Sequence, residues 1–257
     1  MENLQSAFDL DQQQAQQLTQ QVFRNLGIMI TEILFTPTIT PQYLEKHISI
    51  EGKEHLQQAQ ESGQNGIILY SAHFGNWELL GGVLTAMGLS LNAVARQQNN
   101  VAADQLLTQI RQQYGLTLYP RGMGFRDGYR ALKRGELLVL LGDQEARQNG
   151  WFVDFFGKQA STFTGPVQLA QKTGATILPV FMARVGIGKH KVIFYSPVKI
   201  GPNATRAELH NILQKLTSIT EEVIRKYPEQ WFWIHRRWKT QPQNNREYVL
   251  NVSNSDL

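Results

Sequence analysis

Short apolar runs alternate with amphipathic stretches along this chain, and that alternation predicts an α/β layered fold. Gly66 to Ser71 and Leu137 to Leu141 are continuous apolar runs next to glycine or turn residues, as expected of strands buried on both faces of a parallel sheet. Further strands are predicted over Ile48 to Gly52, Ser90 to Ala95, Thr117 to Tyr119, Thr176 to Arg184 and Lys191 to Tyr195. Between them, helical spacing or turn-bounded segments predict helices over about Asp11 to Phe35, Lys53 to Glu61, Asn76 to Met87, Val101 to Tyr114, Phe125 to Lys133, Thr162 to Lys172 and Thr205 to Lys226. Pro37 and Pro41 end the first helix, and Gly88, Gly115 and Gly135 close three others. The reading is one α/β domain, a mostly parallel central sheet flanked by helices behind an N-terminal amphipathic helix.

Composition changes this picture little. A chain of 257 residues, 42% hydrophobic, is long enough for one sizeable core. The net charge of +4 and an isoelectric point near 9.3 suit anionic partners: phosphorylated lipid, an acidic carrier protein, a membrane surface or nucleic acid. The absence of Cys excludes disulfides, thiolate metal sites and a Cys nucleophile. No secretory signal pattern opens the chain, and no apolar run has the length of a spanning helix; Val22 to Phe35 is interrupted by Arg24, Asn25 and Glu32.

The candidate chemistry lies in Gly66 to Leu80, where a buried strand, a sharp turn and a helix start are packed together. Asn76 is placed as the helix N-cap. His73 and Glu78 are five residues apart, too far round to meet on one helix and on opposite faces of one strand, so they meet only across the turn. There an imidazole at the C-terminal sheet edge, held by a carboxylate, would present its other nitrogen to a hydroxyl as a general base. An N-capping turn with a solvent-facing His fits the same spacing. Arg96, at the end of the next strand, is a candidate for a phosphate. Asp143 and Gln144 follow another strand and reach the same sheet edge if the strands are parallel; Asp143 would position the acceptor or the dyad, or cap a turn. The aromatic run Trp151 to Gly157, with Phe155 and Phe156, reads as a loop forming the wall of an acyl groove, or as core. In Pro228 to Lys239, tryptophans interleave with Arg236, Arg237 and Lys239. That block suits a membrane interface, nucleic-acid stacking or core packing with Trp231, His235 and Trp238 on one helical face, and Arg236 is the preferred phosphate ligand. No metal-ligand spacing occurs.

Ala72-His-Phe-Gly-Asn-Trp-Glu78 resembles the His-x4-acid motif of glycerolipid acyltransferases, in the form found in the bacterial lipid A biosynthesis (lauroyl and myristoyl) acyltransferase family. Arg96, Gly142-Asp143-Gln144, Asp154-Phe155-Phe156-Gly157 and Pro228 to Lys239 are similar to further blocks of that family, in its order, so that the resemblance runs from about Phe8 to Pro242. It implies a single acyltransferase domain over 1–257, with 1–40 a helical N-terminal segment, 41–242 the catalytic core and 243–257 a tail. The implied reaction moves a fatty acyl group from an acyl carrier protein or CoA thioester to a hydroxyl of a lipid A precursor or related glycolipid by His73–Glu78 general-base catalysis. The implied partners are the acyl carrier protein donor, an anionic glycolipid acceptor and the membrane surface, with no nucleic acid and no cofactor. The implied place is the cytoplasmic face of the bacterial inner membrane, with the protein either peripheral or held by an N-terminal anchor of the family's usual kind that is absent from this sequence. The alternatives are a thioesterase or ester hydrolase using the same dyad, and a non-catalytic peripheral lipid- or nucleic-acid-binding protein.

Overall fold

The computed structural model describes residues 2–62, 65–95, 100–120 and 124–242. In chain order, α1 (Glu2–Ala7), α2 (Gln12–Phe35), α3 (Pro41–His47), β1 (Ile48–Glu51), α4 (Lys53–Ser62), β2 (Ile67–Ser71), α5 (Trp77–Ala86), β3 (Leu91–Ala95) and α6 (Val101–Gln113) form the first half. They are followed by β4 (Thr117–Pro120), α7 (Gly124–Lys133), β5 (Leu137–Leu141), β6 (Trp151–Phe155), β7 (Lys158–Thr162), α8 (Gly165–Thr173), β8 (Thr176–Gly186), β9 (Lys189–Phe194) and α9 (Arg206–Lys226). Seven strands make the central sheet in the order β1-β9-β8-β2-β5-β3-β4. The run from β8 to β4 is parallel throughout, while β9 turns back antiparallel on β8 and β1 pairs parallel with β9.

Burial on both faces explains why the central strands read as unbroken apolar runs. Ile68 and Tyr70 of β2 face a cluster with Leu132 of α7, Val167 of α8 and Leu213 and Leu216 of α9. Ile67 and Leu69 face the opposite cluster, with Leu56 of α4 and Leu79, Leu80 and Val83 of α5. A third cluster closes the carboxyl edge of the sheet: Phe74, Phe155, Phe156, Phe181, Trp231 and Trp233 pack there with Leu4 of α1 and Val22 of α2. The N-terminal helices are therefore part of the wall around that edge.

Three segments differ from expectation. Pro41–His47 is a helix, started by Thr40 as N-cap with Pro41 in the first turn, a pattern that was legible but short. Trp151 to Gly157 is not a loop but one arm of the β6–β7 hairpin, with Phe156 and Gly157 forming a two-residue turn at φ 55° and 70°. Its alternation of buried Val153 and Phe155 with exposed Asp154 is a strand period masked by the high aromatic content. Pro228 to Lys239 is not helical beyond a 3-10 turn at Pro228–Gln230; Trp231, Trp233 and Arg237 are buried from irregular backbone instead of one helical face.

Candidate active site

Strand register brings the two principal groups together. β2 and β5 pair in parallel with Ser71 opposite Leu141, and His73 and Asp143 each stand two residues beyond that pair. The Asp143 carboxylate is buried and takes three donors. Oδ1 accepts from His73 Nδ1 at 2.8 Å. Oδ2 accepts from the His73 backbone N–H at 3.0 Å and from the Trp231 indole N–H at 2.8 Å. An ionised carboxylate only accepts, so Nδ1 carries the proton and Nε2 is left with its lone pair. No partner for Nε2 occurs among the described residues. The His73 side chain is 23% exposed against 1% for Asp143, so the basic nitrogen is presented at the surface from a fixed, buried support. Trp77 and Phe232 flank the ring, with centroids 5.2 Å and 6.3 Å away.

The electrostatics follow from this burial. Desolvation by itself would lower the His73 pKa, but the charge and hydrogen bond of Asp143, with a further contribution from Glu78, raise it above the ordinary value of 6.5. Burial works to raise Asp143, and the His73 and Trp231 donors reverse this and hold it below the usual carboxylate range. His235, half-buried nearby, is pushed down by desolvation, and its Nε2 accepts from the Glu145 backbone N–H at 2.9 Å.

Glu78 does not hold the imidazole, contrary to the expectation from spacing. It lies in the first turn of α5 and is bonded by Arg111 of α6, whose Nε and Nη2 donate at 2.9 Å and 2.5 Å. The reason is directional: in a helix side chains tilt toward the N-terminus but stay on their own face, and the face of Glu78 looks to α6. The carboxylate nearest in sequence is thus not the one nearest in space. Arg111 lies 33 residues further on, with no local pattern to tie it to Glu78.

The turn itself is tightly held. Asn76 is the buried N-cap of α5, its Oδ1 accepting from Leu79 N–H at 3.0 Å and its Nδ2 donating to Glu32 of α2 at 2.9 Å. Gly75 N–H donates to Gln230 O at 2.8 Å, and Phe232 N–H to His73 O at 3.0 Å. Gly75 sits at φ +59°, and a Cβ there would lie 1.7 Å from Met182 O. Gly75→Ala is therefore expected to lose more than about 3 kcal/mol of stability, read as a lowered denaturant midpoint at unchanged m-value.

The remaining candidates divide. Asn76 is a fully buried cap, its oxygen on the Leu79 N–H and its Nδ2 on Glu32, which corrects its assignment to substrate. Phe155 and Phe156 are core side chains, not a groove wall: they pack on Trp231, Trp233, Trp238 and Phe8 because the hairpin folds inward onto α9 and the C-terminal segment. Gln144 is half-buried beside Asp143, and Arg236 is exposed. Arg237 is interior, donating to Ser161 O at 2.6 Å and to Thr162 Oγ1, with burial lowering its pKa to about 10. Arg96 lies outside the described residues. Among the described residues no three His, Asp or Glu side chains gather as a metal site, and no helix is long and apolar enough to cross a membrane.

Residues 1–240 match the family model for bacterial lipid A biosynthesis acyltransferases. The chain is 29% identical over 222 residues to the lipid A biosynthesis palmitoleoyltransferase of Escherichia coli, covering 86% of this chain and 71% of that protein. It is 27% identical over 244 residues to the lipid A biosynthesis lauroyltransferase of the same organism, covering 94% and 78%. It is also 25% identical over 225 residues to the phosphatidylinositol mannoside acyltransferase of Mycobacterium tuberculosis, covering 85% and 69%.

Proposed function

The chain belongs to the bacterial lipid A biosynthesis acyltransferase family, and from that membership and the His73–Asp143 geometry we propose that it transfers a fatty acyl group from a thioester to a hydroxyl of a lipid A precursor or related glycolipid. The single observation that carries the mechanism is a partly exposed imidazole whose inner nitrogen is fixed by a buried, ionised carboxylate. The acceptor hydroxyl donates to Nε2 of His73. As its oxygen attacks the thioester carbonyl, the C–O bond forms and the proton passes to Nε2; Asp143 stabilises the resulting imidazolium. The tetrahedral oxyanion then collapses with rupture of the C–S bond, and the leaving thiolate takes the proton from the imidazolium. Ester and free thiol are the products, and His73 returns to its starting state. The first backbone N–H groups of α5 are suited to the oxyanion, since that helix end favours negative charge. Glu78, fixed by Arg111, adds to the field that favours the imidazolium.

The donor in this reading is an acyl carrier protein or CoA thioester, and the exposed Arg236 is the candidate for an acceptor phosphate. The setting is a membrane surface at the cytoplasmic face, where the acceptor lipid resides. Support for docking comes from α2, which leaves Phe23, Ile30, Leu34 and Phe35 exposed.

The test is transfer of a labelled acyl group from acyl carrier protein or CoA to a lipid A precursor, a phosphatidylinositol mannoside and a lysophospholipid in parallel. Labelled lipid from a glycolipid acceptor, at a rate well above release of free fatty acid, is the expected result. Fatty acid released at the same rate with and without acceptor would replace the transferase reading by a hydrolase.

A further inference from the structure

A cluster of polar side chains lies behind the active-site turn, and at its centre is Glu32 of α2. Its Oε1 and Oε2 accept from Arg184 Nε and Nη2 at 3.0 Å and 2.6 Å. His190 Nε2 lies 3.2 Å from Oε1, and Arg184 also donates to Asn25 Oδ1 on the same helix. Two strands of the sheet's reversed end, β8 and β9, are thereby tied to the N-terminal helix. Burial would push the Glu32 carboxyl up, but His190, Arg184 and Asn76 around it hold it down at about 2. An ion cluster alone would be an ordinary structural tie. The carboxylate, however, has a further partner that the cluster does not need: Asn76 Nδ2, at 2.9 Å.

We propose that Glu32 is a positioning residue for the catalytic turn, selecting the orientation of the Asn76 amide that caps α5 and so fixing the backbone from His73 to Leu79. The inference rests on the acyl-transfer reading for its effect on rate. A primary amide can be turned over in its site. In the observed orientation Asn76 Oδ1 accepts from Leu79 N–H and Nδ2 donates to Glu32. Turned over, the amide would aim its oxygen at the carboxylate and its NH2 at the Leu79 N–H, losing both bonds and opposing like partners. Asn76 is fully buried, so water cannot replace either bond. The choice of orientation is thus made by a side chain 44 residues earlier, on a helix that contributes no group to the proton transfer. A second arm reaches the same turn from the other side. Arg184 N–H donates to Gln230 Oε1, Gln230 Nε2 donates back to Arg184 O, and Gln230 O receives the Gly75 N–H. Gly75 and Asn76, the two residues between the His73–Phe74 segment and the helix, therefore both hang from the Glu32–Arg184 pair.

The test exchanges the two partners, and the double variant conserves the net charge of the cluster. Glu32→Gln and Asn76→Asp are made singly and together. In Asn76→Asp two carboxylates face each other; in the double variant the Gln amide donates to the new carboxylate, whose other oxygen still caps Leu79. Deuterium uptake over residues 72–80 reads the turn without reference to turnover. Asn76→Asp alone is expected to exchange faster in that segment and to lose about a hundredfold in kcat, with KM changed by less than about threefold. Glu32→Gln, whose one oxygen can still take the Asn76 N–H while its NH2 faces the Arg184 Nε–H, is expected to shift both readouts the same way by a smaller amount. The double variant is expected to regain wild-type exchange there and at least about tenfold of the lost kcat. Should Glu32→Gln fail to fold, Glu32→Asp, which keeps the charge but not the reach to Asn76, is expected to show the same local exchange. Wild-type exchange over 72–80 in the single variants, or no recovery in the double, overturns the proposal. A wild-type protein that transfers nothing to any acceptor while this exchange pattern holds counts against the acyl-transfer reading and leaves the anchoring of the turn supported.

Discussion

His73→Ala is expected to reduce acyl transfer to roughly one ten-thousandth of the wild-type rate while the protein remains folded. Among the described residues no other side chain combines an available basic nitrogen with a buried carboxylate behind it. His235, the neighbouring imidazole, has its Nε2 occupied by the Glu145 N–H and a lowered pKa, so it is no substitute. The substitution keeps the backbone N–H that bonds Asp143, and the Trp231 indole keeps its bond as well. Asp143 therefore loses one of three donors, a cost of about 1–2 kcal/mol in stability. Single-turnover transfer and a thermal melt measured on the same preparation separate the two effects. Transfer within tenfold of wild type would remove His73 from the mechanism.

Asp143→Asn is expected to cost about three to four orders of magnitude, and by a route that the donor count dictates. Two donors converge on Oδ2, the His73 backbone N–H and the Trp231 indole, while only Nδ1–H meets Oδ1. The single oxygen of an asparagine settles where two donors point. Its NH2 group then faces Nδ1, which must become the acceptor, and the proton moves to Nε2. The nitrogen presented to the acceptor hydroxyl is then already protonated and cannot act as base. The same change removes the charge that chiefly raises the His73 pKa.

The pH dependence carries the sign of this effect. The base is active only when neutral, so the wild-type rate rises as pH increases through the His73 pKa, which lies above 6.5. In Asp143→Asn the residual activity is expected to rise at lower pH than in wild type, because the raising charge is gone. An acid limb of kcat/KM that stays in place would mean that another group sets it.

Much of the fold was legible. The parallel strands stood out because both faces of β2 and β5 are buried, and α2 and α9 carried clear helical spacing and capping signals, including the capping boxes at Asp11 and Thr205. The hairpin at Trp151–Thr162 was missed because its aromatic content obscured the period of two. His73 and Asp143 were both singled out, as residues at the ends of apolar runs, and their arrival at one sheet edge was expected on the condition that the strands ran parallel, though not their hydrogen bond. The partnership assigned to His73 followed sequence distance, and there it departed from the structure: Glu78, five residues away, turns to Arg111.

The sequence by itself determined the layered fold, the strand-turn-helix that presents His73, and the family to which those blocks belong. These are encoded locally, in apolar period, caps and turn residues within a few positions of one another. The tertiary structure alone decided which carboxylate holds the imidazole, that Trp231 and the His73 backbone share it, and that Glu32 bonds the cap of α5. Those choices depend on strand order and on helices packed from distant parts of the chain, and nothing in local spacing specifies which buried donor will find which acceptor once the layers close.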